Sequence, residues 1–361
     1  MKRILTKEAN IGQVLAQDVY GTNDVLLVKK GSALNAEMIY SLIMKNVLYI
    51  FVEDEVVKTD NDEDESMIGS YNQRLRKTEE YKKFSKNYQE NVDSLKNSIN
   101  NIVSMNADEN DIRSMVEETM AILDGMVSGA TVFDMLNNMK KYDDSTYTHC
   151  VNVSLICNVF AKWLGMNEEE IELVTTCGLF HDIGKVTIPQ EVIKKPGKLT
   201  EQEYEVMKTH TTNGYEILKN YPQIAEEVKL AALMHHEKCD GLGYPLGLKG
   251  NAINKYAKIV AIADIYDAMT SARVYHGPLC PFKVIKIFED EGYVKYEPRF
   301  IITFLQNVAD TYMQNEVLLS DGRRGKIVYI NKNMISKPIV DCQGKFVDLS
   351  KEANLSIEKI L

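Results

Sequence analysis

The chain has 361 residues, 45% of them hydrophobic and 26% charged, with few prolines. That is the balance of a folded globular protein, and the length predicts two or three structural units, since single cores rarely grow past about 250–300 residues. A formal net charge of −10 excludes the broad basic surface that non-specific binding to DNA or RNA polymers needs. A small anionic ligand stays compatible, because bound cations reverse the local sign of a cleft.

No run approaches the roughly 18–20 apolar residues of a membrane span. The opening MKRILTKEANIGQ has no apolar stretch of signal-peptide type. Cys150, Cys157, Cys177, Cys239, Cys280 and Cys342 form no CxxC pair, so a reducing cytoplasm is the expected setting, without membrane contact.

In chain order, residues 1–55 alternate as strands in VLAQDVYG, LLVKKGSAL and VLYIFV, with a short helix in AEMIYSLIMKN. Gly21-Thr22-Asn23-Asp24 has turn chemistry. The expectation is a small α+β module over 1–66 whose acidic end, EDEVVKTDNDEDES, is an exposed loop. A helical linker follows over 67–128, where Tyr81, Phe84, Tyr88, Val92, Leu95, Ile99 and Ile102 recur at three- and four-residue steps. So narrow a stripe fits either a homodimer seam through the 71–128 helices or a helix packed on its own domain; the heptad slips between Tyr88 and Val92. Residues 129–315 read as a helical domain of amphipathic stretches, among them VNVSLICNVFAKWLG, EEIELVTTCGLF and YAKIVAIADIYDAMTSA. Gly and Pro gather there in IPQEVIKKPGKLT and DGLGYPLGLKGNAI, which predicts loops. From 316 to 361 strand alternation returns around an SDG turn, a short β appendage. The fold class is therefore mainly α: a helical bundle with a small N-terminal α+β module, a helical linker and a C-terminal β appendage.

All six histidines lie between residues 149 and 276. Five stand in suggestive fragments: His149, His181 beside Asp182 in HDIGK, His210 in HTTNG, and His235-His236 in HHEKCDGLGYP; Asp264 follows in ADIYDAMTSARVY. Imidazole is the commonest protein metal ligand, and mixed imidazole and carboxylate sets suit Fe, Mn, Zn or Ni rather than Mg or Ca alone. Successive fragments stand 25 to 32 residues apart, room for one helix and a turn, so each helix of a bundle can aim a ligand at a common centre. Adjacent residues on a helix point about 100° apart, so His181-Asp182 and His235-His236 suit two neighbouring ions better than one. Two such ions stabilise both the attacking and the leaving oxygens of a phosphoryl displacement. Lys185 and Arg273 would add positive charge toward phosphate oxygens.

At these residues, over roughly 130–310, the chain resembles the HD-GYP family of HD-domain phosphohydrolases, most specifically in HHEKCDGLGYPLGLKG and IADIYDAMTSARVY. The resemblance implies an HD-type helical bundle and a phosphodiesterase that opens cyclic di-GMP to linear pGpG, and often on to GMP, through a metal-bridging hydroxide. It implies His149, His181, Asp182, His210, His235, His236 and Asp264 as metal ligands. Lys185 matches a lysine near the scissile phosphate, and Tyr244, Arg273 and His276 match positions that hold substrate. Asp182 and Lys185 are thus the expected catalytic residues. The expected cofactors are two divalent transition-metal ions, Fe or Mn. Some members bind a third ion through a glutamate where this chain has Ser145, a poor ligand, so a dinuclear centre is favoured. His276 stands where a lysine or arginine often does. These two departures motivate an alternative, a cyclic-dinucleotide receptor of low turnover; another is an HD hydrolase for a different cyclic dinucleotide.

Overall fold

The computed structural model describes residues 2–6, 9, 13–20, 26–34, 38, 42, 47, 49–52, 75–124, 129–139, 146–195, 197–271 and 279–361. The chain divides into two compact units, 1–65 and 66–361.

In the first unit, β1 (Lys2–Leu5) pairs antiparallel with β4 (Tyr49–Val52), and β2 (Val19–Tyr20) with β3 (Leu26–Val28). Leu15, Val19, Leu34, Leu42, Ile50 and Val52 form its small core. The expected turn at 21–24 and the whole acidic segment lie outside the described residues, as does most of the stretch expected to be a short helix.

The second unit is mainly helical. Its longer helices are α1 (Glu79–Val103), α2 (Glu109–Ala121), α3 (Gly129–Met139), α4 (Thr146–Trp163), α5 (Glu168–Phe180), α6 (Glu201–Lys219), α7 (Glu226–Met234), α8 (Lys255–Thr270), α9 (Pro281–Ile287) and α10 (Pro298–Thr311). Side-chain caps mark several starts. Asn167 and Glu170 form a reciprocal capping box at α5, and Thr200 and Glu203 another at α6. A five-stranded antiparallel sheet closes the chain, with β5 (Glu316–Leu319), β6 (Arg324–Tyr329), β7 (Ile339–Cys342), β8 (Lys345–Asp348) and β9 (Ile357–Ile360) in the order β8-β7-β6-β5-β9. One hydrophobic core runs through this unit from Tyr81 to Ile357.

Helices α4 and α8 differ from their amphipathic reading. Every residue of α4 from Cys150 to Ala161 is buried, and α8 buries Ile259 through Asp264 together with Tyr266 and Asp267. A helix apolar on all sides belongs in the interior, and these two pack on each other and on α5, with α7 against α5, α6 and α8. Polar side chains on such helices have no water to turn to and must be satisfied internally. The α1 stripe of Tyr81, Phe84, Tyr88, Val92, Leu95, Ile99 and Ile102 is likewise buried inside this unit, where α1 packs on α2, α3 and α4. Among the described residues no helix is long and apolar enough to cross a membrane.

Candidate metal centre

Five elements meet at the histidines. His149 stands on the first turn of α4, His181 caps the C-terminus of α5, His210 lies within α6, His235 caps α7 with His236 next to it, and Asp264 is on α8. Asp182 and Lys185 belong to the tight turn Ile183–Thr187 and its cap. Glycine brings that turn against α6: a Cβ on Gly184 would stand 1.9 Å from the His210 carbonyl oxygen and 2.6 Å from the Gly214 nitrogen. No other residue permits that approach, which sets Asp182 facing His210.

Three of the imidazoles are fixed by the same device. The Nδ1–H groups of His181, His210 and His235 donate to backbone carbonyls three residues back in their own helices, Gly178 at 2.7 Å, Met207 at 2.6 Å and Ala232 at 3.0 Å. A carbonyl only accepts, so Nδ1 holds the proton and each Nε2 presents a lone pair inward. Asp182 lies among them. Its Oδ2 is 3.6 Å from His149 Nε2 and 3.3 Å from His181 Nε2, while its Oδ1 is 3.4 Å from His210 Nε2 and 3.7 Å from His235 Nε2. One oxygen thus faces each pair of histidines. Asp264 Oδ1 is 3.0 Å from His149 Nε2, and its Oδ2 is 3.9 Å from His236 Nδ1. Three overlapping groups bring their ligand atoms within 4.8 Å of one another: His210, His235 and His236; His149, His181 and Asp182; His181, His235 and Asp264.

The bonding within this cluster fits a cation. His181 Nε2 and both Asp182 oxygens are buried and receive no hydrogen bond, although Lys185 Nζ lies against Oδ2. The Nε2 atoms of His210 and His235 stand 3.3 Å apart as two facing acceptors. Lone pairs gathered this way in a buried site are costly unless an electrophile joins them, and these groups are able to hold a divalent metal ion. Protonation follows the same logic. Burial holds His210 below its ordinary range and His235 well below it, and pushes His236 down to about 3, so their imidazoles are neutral, as ligation requires. Burial alone would lower His149 too, but the Asp264 and Asp267 carboxylates raise it to about 9. Against the penalty of burial, Lys185 and the histidines hold Asp182 well below the usual carboxylate range. Asp264, also opposed by burial, is held low chiefly by His149.

Residues 130–300 match the family model of the HD domain. The match is to a domain of the chain, the one that carries every residue of the cluster. The segment HHEKCDGLGYPLGLKG falls inside that match. Over 134 residues the chain is 46% identical to the cyclic di-GMP phosphodiesterase response regulator RpfG of Xanthomonas campestris, covering 37% of this chain and 35% of that protein. It is 37% identical over 193 residues to a cyclic di-GMP phosphodiesterase of Thermotoga maritima, 51% of this chain and 52% of the other. A 3'3'-cGAMP-specific phosphodiesterase 1 of Vibrio cholerae is 39% identical over 158 residues, 44% and 36% of the two chains. The chain therefore spans about a third to a half of the length of these relatives. Its fold is similar to that of Bd1817, an HDG"Y"P protein from Bdellovibrio bacteriovorus, with a TM-score of 0.53 over 85% of this chain and 99% of that one at 15% identity.

At the mouth of the HD domain's centre, Tyr244 stacks on His236 with ring centroids 4.7 Å apart. Tyr204 meets Tyr244 edge-on at 6.3 Å, and Lys208 Nζ lies 5.9 Å from the Tyr244 centroid. Arg273, His276 and Ser145 lie outside the described residues. Glu237 is 3% exposed, and its carboxylate accepts from the backbone N–H groups of Leu246, Gly247 and Leu248 at 2.6, 3.1 and 2.9 Å, anchoring the loop that carries Tyr244. Gly243 lets that loop close: its Cβ would fall 2.5 Å from the His236 carbonyl oxygen. Sequence reasoning missed Tyr204 and Lys208, for which the sequence carries no signal.

Proposed function

We propose that this chain is a metal-dependent phosphodiesterase that hydrolyses cyclic di-GMP to linear pGpG, with GMP as a further product. The observation that carries the reading is Asp182, a buried carboxylate that, beside its ion pair with Lys185, turns one oxygen toward His149 and His181 and the other toward His210 and His235. Such an arrangement suits two divalent ions, Fe or Mn, which Asp182, the four histidines it faces, His236 and Asp264 would hold. Bound there, the ions would supply Lewis acidity and lower the pKa of coordinated water. Lys185, against Asp182 and 22% exposed at its side chain, is placed to meet a phosphate oxygen at the edge of the cluster. Tyr244 covers His236 and offers a flat face to a nucleobase. Arg273 and His276 complete the phosphate-binding set in this reading, and Ser145 leaves the centre dinuclear.

The relatives named for cyclic di-GMP support the substrate class, and the Vibrio cholerae relatives named for 3'3'-cGAMP support a second reading, hydrolysis of that mixed dinucleotide. Six free cysteines accord with a cytoplasmic setting. Pairing of two chains through 71–128 would have to use the polar faces of α1 and α2, since the apolar stripe of α1 is buried within its own unit.

The test is turnover of both dinucleotides by protein purified without oxygen and supplied with Mn or Fe, followed by chromatography. Linear pGpG from cyclic di-GMP at the higher rate supports the proposal, and faster loss of 3'3'-cGAMP favours the second reading. Tight binding of either without product, under both metals, would make the protein a receptor.

A further inference from the structure

The HD domain match begins at residue 130, yet a buried hydrogen-bond chain leads from His149 to a helix outside it. His149 Nδ1–H donates to Asp267 Oδ2 at 2.8 Å. The other oxygen of that carboxylate, Oδ1, accepts from Asn152 Nδ2 at 3.1 Å and from Ser271 Oγ at 3.1 Å. Asn152 Oδ1 in turn accepts from the Tyr88 hydroxyl at 2.6 Å. The same hydroxyl lies 3.4 Å from the carbonyl oxygen of Thr148, the residue before His149. Tyr88 is on α1, and Tyr88, Asn152 and Asp267 are each 4% exposed or less.

The direction of the chain is set by chemistry. A carboxylate only accepts, so Asn152 turns its amide N–H groups to Asp267 and its oxygen to Tyr88, and only the hydroxyl is left to donate. That order keeps a proton on His149 Nδ1 and turns Nε2 toward Asp264 and the cluster.

We propose that Tyr88 and Asn152 are positioning residues for the metal centre, holding Asp267 and through it the ring of His149, so that α1 is part of the metal-binding apparatus. The inference rests on reading His149 as a ligand. Unlike His181, His210 and His235, whose Nδ1 atoms are held by carbonyls of their own helices, His149 is oriented by side chains from other elements. Its geometry therefore follows α1 and α8 as well as α4. Partners behind a metal-ligating histidine are commonly worth 10–100-fold in metal affinity or activity.

The experiment measures Mn affinity by chelator competition on the full chain, which needs no substrate. Tyr88→Phe keeps the ring and removes only the hydroxyl; Asn152→Leu removes the amide at similar volume. The expected result is a loss of Mn affinity of severalfold for Tyr88→Phe and about 10-fold for Asn152→Leu, with neither loss seen in a His149→Ala background. Should Asn152→Leu fail to fold, Tyr88→Phe alone carries the comparison. Unchanged affinity in Tyr88→Phe, or an equal loss with and without His149, would reduce the chain of bonds to a satisfied polar island in the core and overturn the proposal. If His149→Ala itself leaves affinity unchanged, the ligand reading fails and the proposal with it. A failure to hydrolyse cyclic di-GMP would touch neither outcome.

Discussion

Asp182 concentrates the chemistry of this protein in one side chain. It is 1% exposed, and against the penalty of burial its charge is held by Lys185 and the surrounding histidines. Replacing His181 and Asp182 together by alanine should strip the protein of metal and abolish hydrolysis while leaving its helix content intact, as measured by metal analysis and circular dichroism. Persistent turnover by that double variant after chelation would remove the metal-centred account. His149 makes a separate prediction. Its folded value of about 9 lies above the ordinary 6.5, so in metal-free protein its stabilising contribution is full below about pH 6.5 and is lost as pH rises through about 9. Asp264, the other half of that contact, is depressed, so its share is lost only in acid. Chelated protein should therefore melt at a lower temperature at pH 9.5 than at pH 6.5, and His149→Ala should flatten that slope. The histidines and both aspartates of the cluster were readable as residues, because their types and their adjacency are unusual. Tyr88 was not: in sequence it is one more aromatic on the α1 stripe, and only the fold shows its hydroxyl facing Asn152.

Among the elements, two tight segments place the chemistry more than any helix does. The Ile183–Thr187 turn sits on α6 only because Gly184 has no side chain. Gly184→Ala should cost about 1–3 kcal/mol in denaturant unfolding, by forcing the turn off α6, and should lower activity by moving Asp182 and Lys185 away from His210. The second segment is the loop over His236, whose three backbone N–H groups converge on the buried Glu237. Glu237→Gln weakens that anchor without touching a ligand. KM for the dinucleotide should rise severalfold while metal content stays unchanged, and a loss of metal instead would mean that Glu237 acts on the cluster itself. The starts of α5 and α6 at Asn167 and Thr200 are fixed by capping, which is local chemistry. The burial of α4 and α8 on every side was misread as amphipathic, since Asn, Thr and Asp within those stretches look solvent-facing until their partners are known. The role of Glu237 was hidden for the same reason, its partners being backbone groups nine to eleven residues onward.

For the molecule as a whole, the mainly α class, the small N-terminal strands and the closing β sheet followed from the change of hydrophobic period along the chain. What periodicity could not tell was how far the core of the helical domain extends. Tyr81 on α1 and Ile357 on β9 belong to the same hydrophobic cluster as the helices that carry the ligands, and no local pattern encodes a contact between segments so distant in sequence. Likewise, the α1 stripe carried no mark of whether its partner was a second chain or its own domain. The centre is predicted to take metal through His149, His181, Asp182, His210, His235, His236 and Asp264. Metal analysis of oxygen-free protein, wild type beside Asp182→Asn, tests that most directly. About two ions per wild-type chain, falling sharply in the variant, is the predicted result; a folded wild-type protein that retains no metal after supplementation with Mn or Fe would contradict it.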